Sequence, residues 1–209
     1  MSVQFQGSLF DTAGEPTLGP LGDGLVRHDL THGAWVDVRP RWVDGADDLF
    51  AHLHDHVSWR ADEREMYERV VAVPRLLAWF GERSAWPHPV LDEARERLGD
   101  HYESELGGRF ATAGLCLYRD GQDSVAWHGD RIGRSRTQDT MVAIVSLGSP
   151  RRFALRPRGG GESLSFTLGS GDLLVMGGSC QRTWEHAIPK TAKPVGPRIS
   201  VQLRPRGVG

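Results

Sequence analysis

The stretch PRISVQLRPR, residues 197–206, gives the starting point for the fold, because apolar and polar side chains alternate along it. Ile199, Val201 and Leu203 are apolar, and the residues beside them are polar or charged, namely Arg198, Ser200, Gln202 and Arg204. Successive side chains of a β-strand point to opposite faces, so this pattern predicts a strand with one apolar and one polar face. Because an arginine is costly to bury without a partner, the polar face predicts a binding surface for an anion.

The second half of the chain contains further short apolar runs, many of them β-branched, separated by Gly, Pro and Ser. This spacing is typical of a sandwich or barrel. The pattern predicts eight strands, near residues 113–118, 124–128, 141–147, 151–156, 163–167, 172–176, 184–188 and 197–204.

The first half of the chain carries helical patterns instead. Apolar residues recur at helical spacing in 46–58 and in 88–106, and Pro87 and Pro89 stand where the second helix could begin. Residues 1–30 are rich in Gly, Pro and Asp and predict an extended arm. We therefore expect one α+β domain over 31–209, with a helical and lid part over about 31–108 and a jelly-roll core over about 109–206.

Composition describes an ordinary globular chain. The 209 residues are 39% hydrophobic and 25% charged, with a formal net charge of −2. We find no apolar run long enough for a membrane span, and the N-terminus lacks the pattern of a secretory signal. Cys116 and Cys180 form neither a metal-type pair nor a disulfide framework. We expect a monomeric cytoplasmic protein with reduced thiols and no membrane partner.

The segment VAWHGDRIG, residues 125–133, contains a candidate metal site. At the end of a strand, His128 and Asp130 would project to the same side, with Gly129 leaving room between them. His186 lies in a later predicted strand and could supply a third ligand. Two histidines and one carboxylate form the ligand face of non-haem Fe(II) oxygenases. The alternative is a structural hydrogen-bonded pair at a strand end.

The arginines of residues 197–206 suggest the co-substrate. A guanidinium binds a carboxylate through two parallel hydrogen bonds, and 2-oxoglutarate carries two carboxylates. Arg198 would hold the distal carboxylate, with Ser200 and Tyr118 as hydroxyl donors. Arg204 would lie nearer the metal, facing Asp130 or the proximal carboxylate. The alternative is an exposed strand face with its arginines in water.

These residues together resemble the AlkB family of Fe(II)/2-oxoglutarate dioxygenases. The resemblance extends over about residues 70–206 and includes VPRLLAWFGE (73–82), LYRDGQDSVAWHGD (117–130), VSLGSPRRFALR (145–156), GDLLVMGG (171–178) and EHAIPK (185–190). It implies a double-stranded β-helix with an N-terminal nucleotide-recognition lid. It also implies oxidative dealkylation of N-alkylated bases, such as 1-methyladenine and 3-methylcytosine, with Fe(II), 2-oxoglutarate and O2. The alkyl carbon is hydroxylated and leaves as an aldehyde.

The resemblance also implies a role for individual residues. It places Fe(II) on His128, Asp130 and His186, and 2-oxoglutarate on Tyr118, Arg198, Ser200 and Arg204. We expect substrate contacts from Arg75, Trp79, Phe80, Trp127 and Arg131. Many family members have an asparagine two residues before the tyrosine, at a 2-oxoglutarate contact, where this chain has Cys116. Some have a carboxylate soon after the HxD motif, where this chain has Arg131, Ile132 and Gly133.

The substrate implied by the resemblance is alkylated DNA, with the target base flipped or single-stranded. Seven arginines could hold its phosphates, although a solvated basic face is the alternative: Arg131, Arg134, Arg136, Arg151, Arg152, Arg156 and Arg158. Other hypotheses keep the oxygenase chemistry but act on RNA, tRNA, a protein or a small molecule. Two more differ in class, a non-catalytic jelly-roll binding module and a zinc hydrolase.

Overall fold

The computed structural model describes residues 14–66, 69–106, 108–130 and 138–208. Strands and helices alternate in its first half, as β1 Thr17–Leu18, β2 Val26–Asp29, β3 Ala34–Arg39, β4 Val43–Asp44, α1 Ala46–His56, β5 Arg60–Met66, β6 Arg69–Phe80, α2 Pro89–His101 and α3 Glu103–Leu106. The second half is almost entirely strands, as β7 Phe110–Tyr118, β8 Val125–His128, β9 Val142–Gly148, β10 Arg151–Pro157, β11 Leu164–Leu168, β12 Asp172–Gly178, α4 Cys180–Thr183, β13 Trp184–Ile188 and β14 Arg198–Pro205.

Two antiparallel sheets form the body of the protein. The major sheet has eight strands in the order β2-β3-β12-β9-β14-β7-β6-β5, and the minor sheet has four in the order β11-β10-β13-β8. β1 and β4 form a separate two-stranded pair. The predicted α+β jelly roll is confirmed, and each of the eight strands expected after residue 109 is present.

Strand β14 lies in the middle of the major sheet and separates two apolar cores. Ile199, Val201 and Leu203 belong to the larger core, which also contains buried leucines of α1 and α2. The smaller core contains residues of both sheets, including Tyr118 and Phe153. The polar residues of β14 alternate with the apolar ones, so they face the second sheet while the helices cover the other side.

The first half holds more strands than its sequence pattern indicated. β3 pairs with β12, and β6 pairs with β7 from Leu76 opposite Leu117 to Phe80 opposite Ala113. The segment 73–82 therefore begins as a strand that extends the major sheet. β5, with the sequence RADEREM, lies at the edge of that sheet and lacks an apolar alternation. The division of the chain at residues 30 and 108 stays a prediction, although β2, inside 1–30, pairs with β3.

The two long helices begin where the sequence indicated, but the second ends early. His88 caps α2 by accepting the N–H of Val90 at its Nδ1, and Pro89 occupies the first turn. The expected helix over 88–106 is interrupted at Tyr102, which is buried and donates its hydroxyl to Asp37 at 2.8 Å. The helix α2 ends next to this contact, and α3 follows. Among the described residues, no helix has the length and apolar character needed to cross a membrane.

A buried arginine fixes the loop that joins β7 to β8. Arg151, at the start of β10, donates to the carbonyl oxygens of Asp120, Asp123 and Pro189, each at 2.9 Å. Its guanidinium therefore ties the entry to β8 to the exit from β13. This finding corrects the expectation that Arg151 binds phosphate, because the side chain is 3% exposed and three of its N–H groups donate inside the protein.

We expect Arg151→Ala to lower the free energy of unfolding by about 3 kcal/mol, since three carbonyl groups, one of them in a fully buried bond, would lose a charged donor. Urea unfolding followed by circular dichroism would measure the change. Arg152 is exposed on the same strand, so Arg152→Ala is the matched control and should change stability by less than about 0.5 kcal/mol. Equal effects of the two substitutions would contradict the bracing role of Arg151.

Candidate metal centre and co-substrate pocket

The metal-ligand candidates meet at one end of the minor sheet. His128 ends β8 and lies directly opposite His186 on β13, with ring centroids 4.2 Å apart. Asp130 follows two residues later, and its Oδ1 lies 3.7 Å from His128 Nε2. One ligand atom from each of the three residues lies within 4.8 Å of the others. Two imidazoles and one carboxylate could therefore hold a single metal ion.

A bulge in β8 aims His128 at this site. The pairs His128–His186 and Val125–Ile188 enclose one more residue on β8 than on β13. The extra residue lets both Val125 and His128 face the interior, which is a common use of bulges beside functional sites. The Nδ1 atom of His128 lies 2.9 Å from the Ala126 carbonyl oxygen. Because a carbonyl only accepts, Nδ1 carries the proton and Nε2 keeps a lone pair for a metal.

Two polar side chains orient Asp130. Arg204 donates to Asp130 Oδ2 through Nε and Nη2, both at 3.0 Å. Gln181, which is 1% exposed, accepts the backbone N–H of Asp130 at 2.9 Å. Burial alone would raise the pKa of Asp130, but Arg204, with His186 and His128, holds it below its usual value. Oδ1 remains free to bind a metal. No sequence pattern had singled out Gln181.

His186 is held as a neutral ligand. Its ring is buried and stacks on Phe153 with centroids 5.4 Å apart. Burial, followed by the neighbouring His128, lowers the pKa of His186 to about 3. A neutral imidazole is the form that binds metals. The donor set of two nitrogens and one oxygen suits Fe(II), which accepts imidazole and carboxylate ligands on one face.

The polar face of β14 contains a buried cation with unused donors. Arg198 is 0% exposed, and its Nε donates to Ser146 Oγ at 3.0 Å. Its Nη1 and Nη2 have no hydrogen-bond partner among the described residues. A buried guanidinium in this state calls for an anion, and its two terminal nitrogens match the two oxygens of a carboxylate. These two donors therefore fit one carboxylate of a co-substrate such as 2-oxoglutarate.

The other predicted co-substrate residues surround this guanidinium. Tyr118 lies opposite Arg198 in the sheet, and the Arg198 guanidinium carbon is 5.3 Å from the ring centroid. Burial is the largest influence on Tyr118 and raises its pKa, so the hydroxyl stays protonated and can donate. Ser200 lies opposite Cys116 in the next cross-strand row. Cys116 contacts Gln202, with its Sγ 3.7 Å from Oε1. Gln202 was not among the predicted site residues.

The predicted substrate contacts on β6 divide between two faces. Trp79 lies opposite Gly114 and is 55% exposed on the face that carries Arg204. Phe80 packs with the larger core behind the sheet, so its alternation places it away from the site. Arg75 lies on the same face as Trp79, but it donates to the Ser124 carbonyl oxygen at 3.1 Å and braces the loop before β8.

The remaining predicted contacts lie elsewhere. Trp127 is 36% exposed, and the Arg156 guanidinium carbon lies 4.4 Å from its ring centroid. Both Arg156 and Arg158 form ion pairs with Glu185 at 2.8 and 3.1 Å, which offsets part of the positive charge expected to hold phosphate. Three members of the arginine cluster lie outside the described residues, namely Arg131, Arg134 and Arg136.

Comparisons with known proteins agree with this geometry. The model of the 2OG-Fe(II) oxygenase superfamily matches residues 46–204. The chain is 30% identical to alpha-ketoglutarate-dependent dioxygenase alkB homolog 3 of Homo sapiens, over 92% of this chain and 72% of that protein. It is 28% identical to DNA oxidative demethylase ALKBH2 of Arabidopsis thaliana, over 84% of this chain and 68% of that protein.

A solved structure shows the same fold. "The structure of OsALKBH1" superposes with a TM-score of 0.56 at 14% identity, and the match covers 87% of this chain and 100% of the other. The chain therefore belongs to the 2OG-Fe(II) oxygenase superfamily and, within it, to the AlkB family of dioxygenases. It is an enzyme that uses Fe(II), 2-oxoglutarate and O2. This assignment favours the dioxygenase over the binding module and the zinc hydrolase.

Gly129 is a sensitive position because it separates two candidate ligands in a crowded place. A Cβ at Gly129 would lie 2.7 Å from the Gln181 carbonyl oxygen and 3.3 Å from that of Trp184. We expect Gly129→Ala to weaken Mn(II) binding, measured by calorimetry, by at least about tenfold, because His128 and Asp130 would be displaced. Gly22→Ala is the control, since nothing lies within 4 Å of its added Cβ. Unchanged Mn(II) affinity in Gly129→Ala would argue against the proposed ligands.

Proposed function

We propose that this dioxygenase removes alkyl groups from N-alkylated bases in nucleic acid, with DNA bases of the 1-methyladenine and 3-methylcytosine type as substrates. The exposed Trp79 on the site-facing side of the major sheet carries the proposal. The relatives named DNA oxidative demethylase ALKBH2 support it. The bound iron, with 2-oxoglutarate and O2, supplies the hydroxylation of the alkyl carbon.

In this proposal His128, Asp130 and His186 would hold Fe(II), and a set of three protein ligands would leave coordination positions for the co-substrate. Arg204 keeps Asp130 ionised and turns Oδ1 towards the metal. Burial keeps His186 neutral and Arg204 keeps Asp130 ionised, so each of these two residues offers a lone pair without a competing proton.

Arg198 binds the distal carboxylate of 2-oxoglutarate through Nη1 and Nη2, the two donors without a protein partner. The neutral Tyr118 and Ser200 hydroxyls donate to the same co-substrate. Arg204 lies at the metal end of the β14 face.

Trp79 provides a surface on which the alkylated base stacks. Gly114, directly across from Trp79, has no side chain, and its Cβ position would lie 3.5 Å from the Trp79 ring and 2.8 Å from Arg204 Nη1. The indole therefore lies close to the guanidinium that pairs with Asp130. A base can reach this place only when it is flipped from a duplex or belongs to a single strand.

The decisive experiment uses a single-stranded DNA oligonucleotide with one 1-methyladenine, and a matched RNA oligonucleotide. Each is incubated with protein, Fe(II), ascorbate and 2-oxoglutarate, and mass spectrometry follows the oligonucleotide while succinate is quantified. We expect loss of one methylene mass with equimolar succinate and formaldehyde from DNA, and none with His128→Ala. Succinate without demethylation of DNA would overturn the proposal that DNA is the substrate. Demethylation of the RNA oligonucleotide alone would show that RNA is the substrate instead.

Trp79→Ala should raise KM for the methylated oligonucleotide by roughly tenfold, because a stacked base contributes about 1–3 kcal/mol. Trp79→Phe keeps an aromatic face and should recover most of the loss. Steady-state kinetics at saturating 2-oxoglutarate would measure both. The control is Val26→Ala, which shortens another exposed apolar side chain, on β2 at the opposite edge of the major sheet, and should leave KM unchanged. Equal KM values for wild type and Trp79→Ala would exclude the stacking role.

A further inference from the structure

We propose that Gln202 is a positioning residue for the co-substrate, and that its amide orients the Ser200 hydroxyl and restrains Arg204. The inference rests on the 2-oxoglutarate pocket proposed above and is independent of the nucleic-acid substrate. It gives a function to the one polar residue of the β14 face that the sequence analysis left without a role.

Gln202 occupies the middle of that face. It lies opposite Gly114 on β7 and Ile144 on β9, between Ser200 on one side and Arg204 on the other. The side chain is partly buried, and its amide has hydrogen-bond partners within the site.

Its hydrogen bonds fix the direction of the amide. Oε1 lies 3.4 Å from Arg204 Nη2 and 3.7 Å from Cys116 Sγ, and both neighbours offer a hydrogen. A guanidinium has no acceptor, so the atom facing Arg204 must be the amide oxygen. The amide nitrogen then faces Ser200, and it donates to Oγ at 2.9 Å.

This direction determines what Ser200 can do. Because Ser200 Oγ accepts a hydrogen from Gln202, its own O–H remains free to donate. The natural acceptor is a carboxylate oxygen of the co-substrate, since the unpartnered donors of Arg198 lie on the same face, two residues along β14. The bond from Gln202 occupies one lone pair of Ser200 Oγ and so restricts the directions in which the Ser200 O–H can donate.

The same amide also restrains the metal end of the site. Arg204 donates to Gln202 Oε1 and to Asp130 Oδ2, so the guanidinium is held from two sides. One side chain therefore links the co-substrate hydroxyl of Ser200 to the arginine that orients a candidate metal ligand. Loss of the amide should weaken co-substrate binding more than metal binding, because Arg204 keeps its bonds to Asp130.

The surrounding residues are small enough to admit the long side chain. A Cβ at Gly114 would lie 3.4 Å from Gln202 Oε1, and Cys116 places only a sulfur beside it. An asparagine at 116 would bring its own amide to this place from β7. In this chain the amide at this place belongs to Gln202 on β14, the strand next to β7.

The test measures 2-oxoglutarate binding to the Mn(II)-loaded protein by calorimetry, without nucleic acid and without turnover. We expect Gln202→Leu to raise the Kd for 2-oxoglutarate by about tenfold, the factor equivalent to one hydrogen bond of about 1.4 kcal/mol. Gln202→Glu keeps the size but cannot donate to Ser200, and it should weaken binding at least as much. Gln122→Leu, at an exposed glutamine, is the control and should leave the Kd unchanged.

A second substitution tests whether an amide supplied from position 116 can take over the role of the Gln202 amide. Cys116→Asn introduced into Gln202→Leu should recover most of the 2-oxoglutarate affinity. In turnover, Gln202→Leu should raise KM for 2-oxoglutarate with little change in kcat. Wild-type affinity in both Gln202 variants would overturn the proposal, as would an equal loss of Mn(II) affinity in the absence of 2-oxoglutarate. A failure of the dealkylation assay would leave these binding results unaffected, so the two proposals fail separately.

Discussion

The ion pair between Arg204 and Asp130 joins the two sheets at the site. Arg204 belongs to the major sheet and Asp130 follows the edge strand of the minor sheet, and the two side chains meet at 3.0 Å across 74 residues of chain. A buried guanidinium only donates and a buried carboxylate only accepts, so each is costly without the other. Their pairing sets the position of the metal ligands relative to the polar face of β14, where the co-substrate pocket lies.

Strand β14 serves stability on one face and chemistry on the other. Its apolar residues pack under α1 and α2, and its polar residues line the pocket between the sheets. The arrangement leaves the terminal nitrogens of Arg198 without a partner among the described residues, which is unfavourable for folding. Such a site is stabilised when its ligand binds, because the ligand supplies the missing acceptors.

Several arginines that could have bound phosphate instead hold loops and strands of the protein together. Arg151 binds three carbonyl groups around the loop before β8, and Arg75 binds a fourth. Arg156 and Arg158 converge on Glu185, beside the ligand candidate His186. Five donors in a planar group allow one side chain to satisfy several acceptors at once, which suits it to hold loops around a precise site.

The strands of the second half, the starts of the two long helices and the chemistry of the candidate ligands could all be predicted from the sequence. Those features depend on local periodicity, and HxD within a strand end already projects His128 and Asp130 together. Contacts between residues distant in the chain could be read only from the tertiary structure, because periodicity reports local neighbours alone. The helix α2 ends at Tyr102, whose hydroxyl donates to Asp37. Phe80 lies behind the major sheet, and Arg151 donates to carbonyl groups inside the protein. The tertiary structure also brought Gln181 and Gln202 to the site. These outcomes depend on partners distant in the chain, and a residue's neighbours across a sheet are fixed only when the sheet forms.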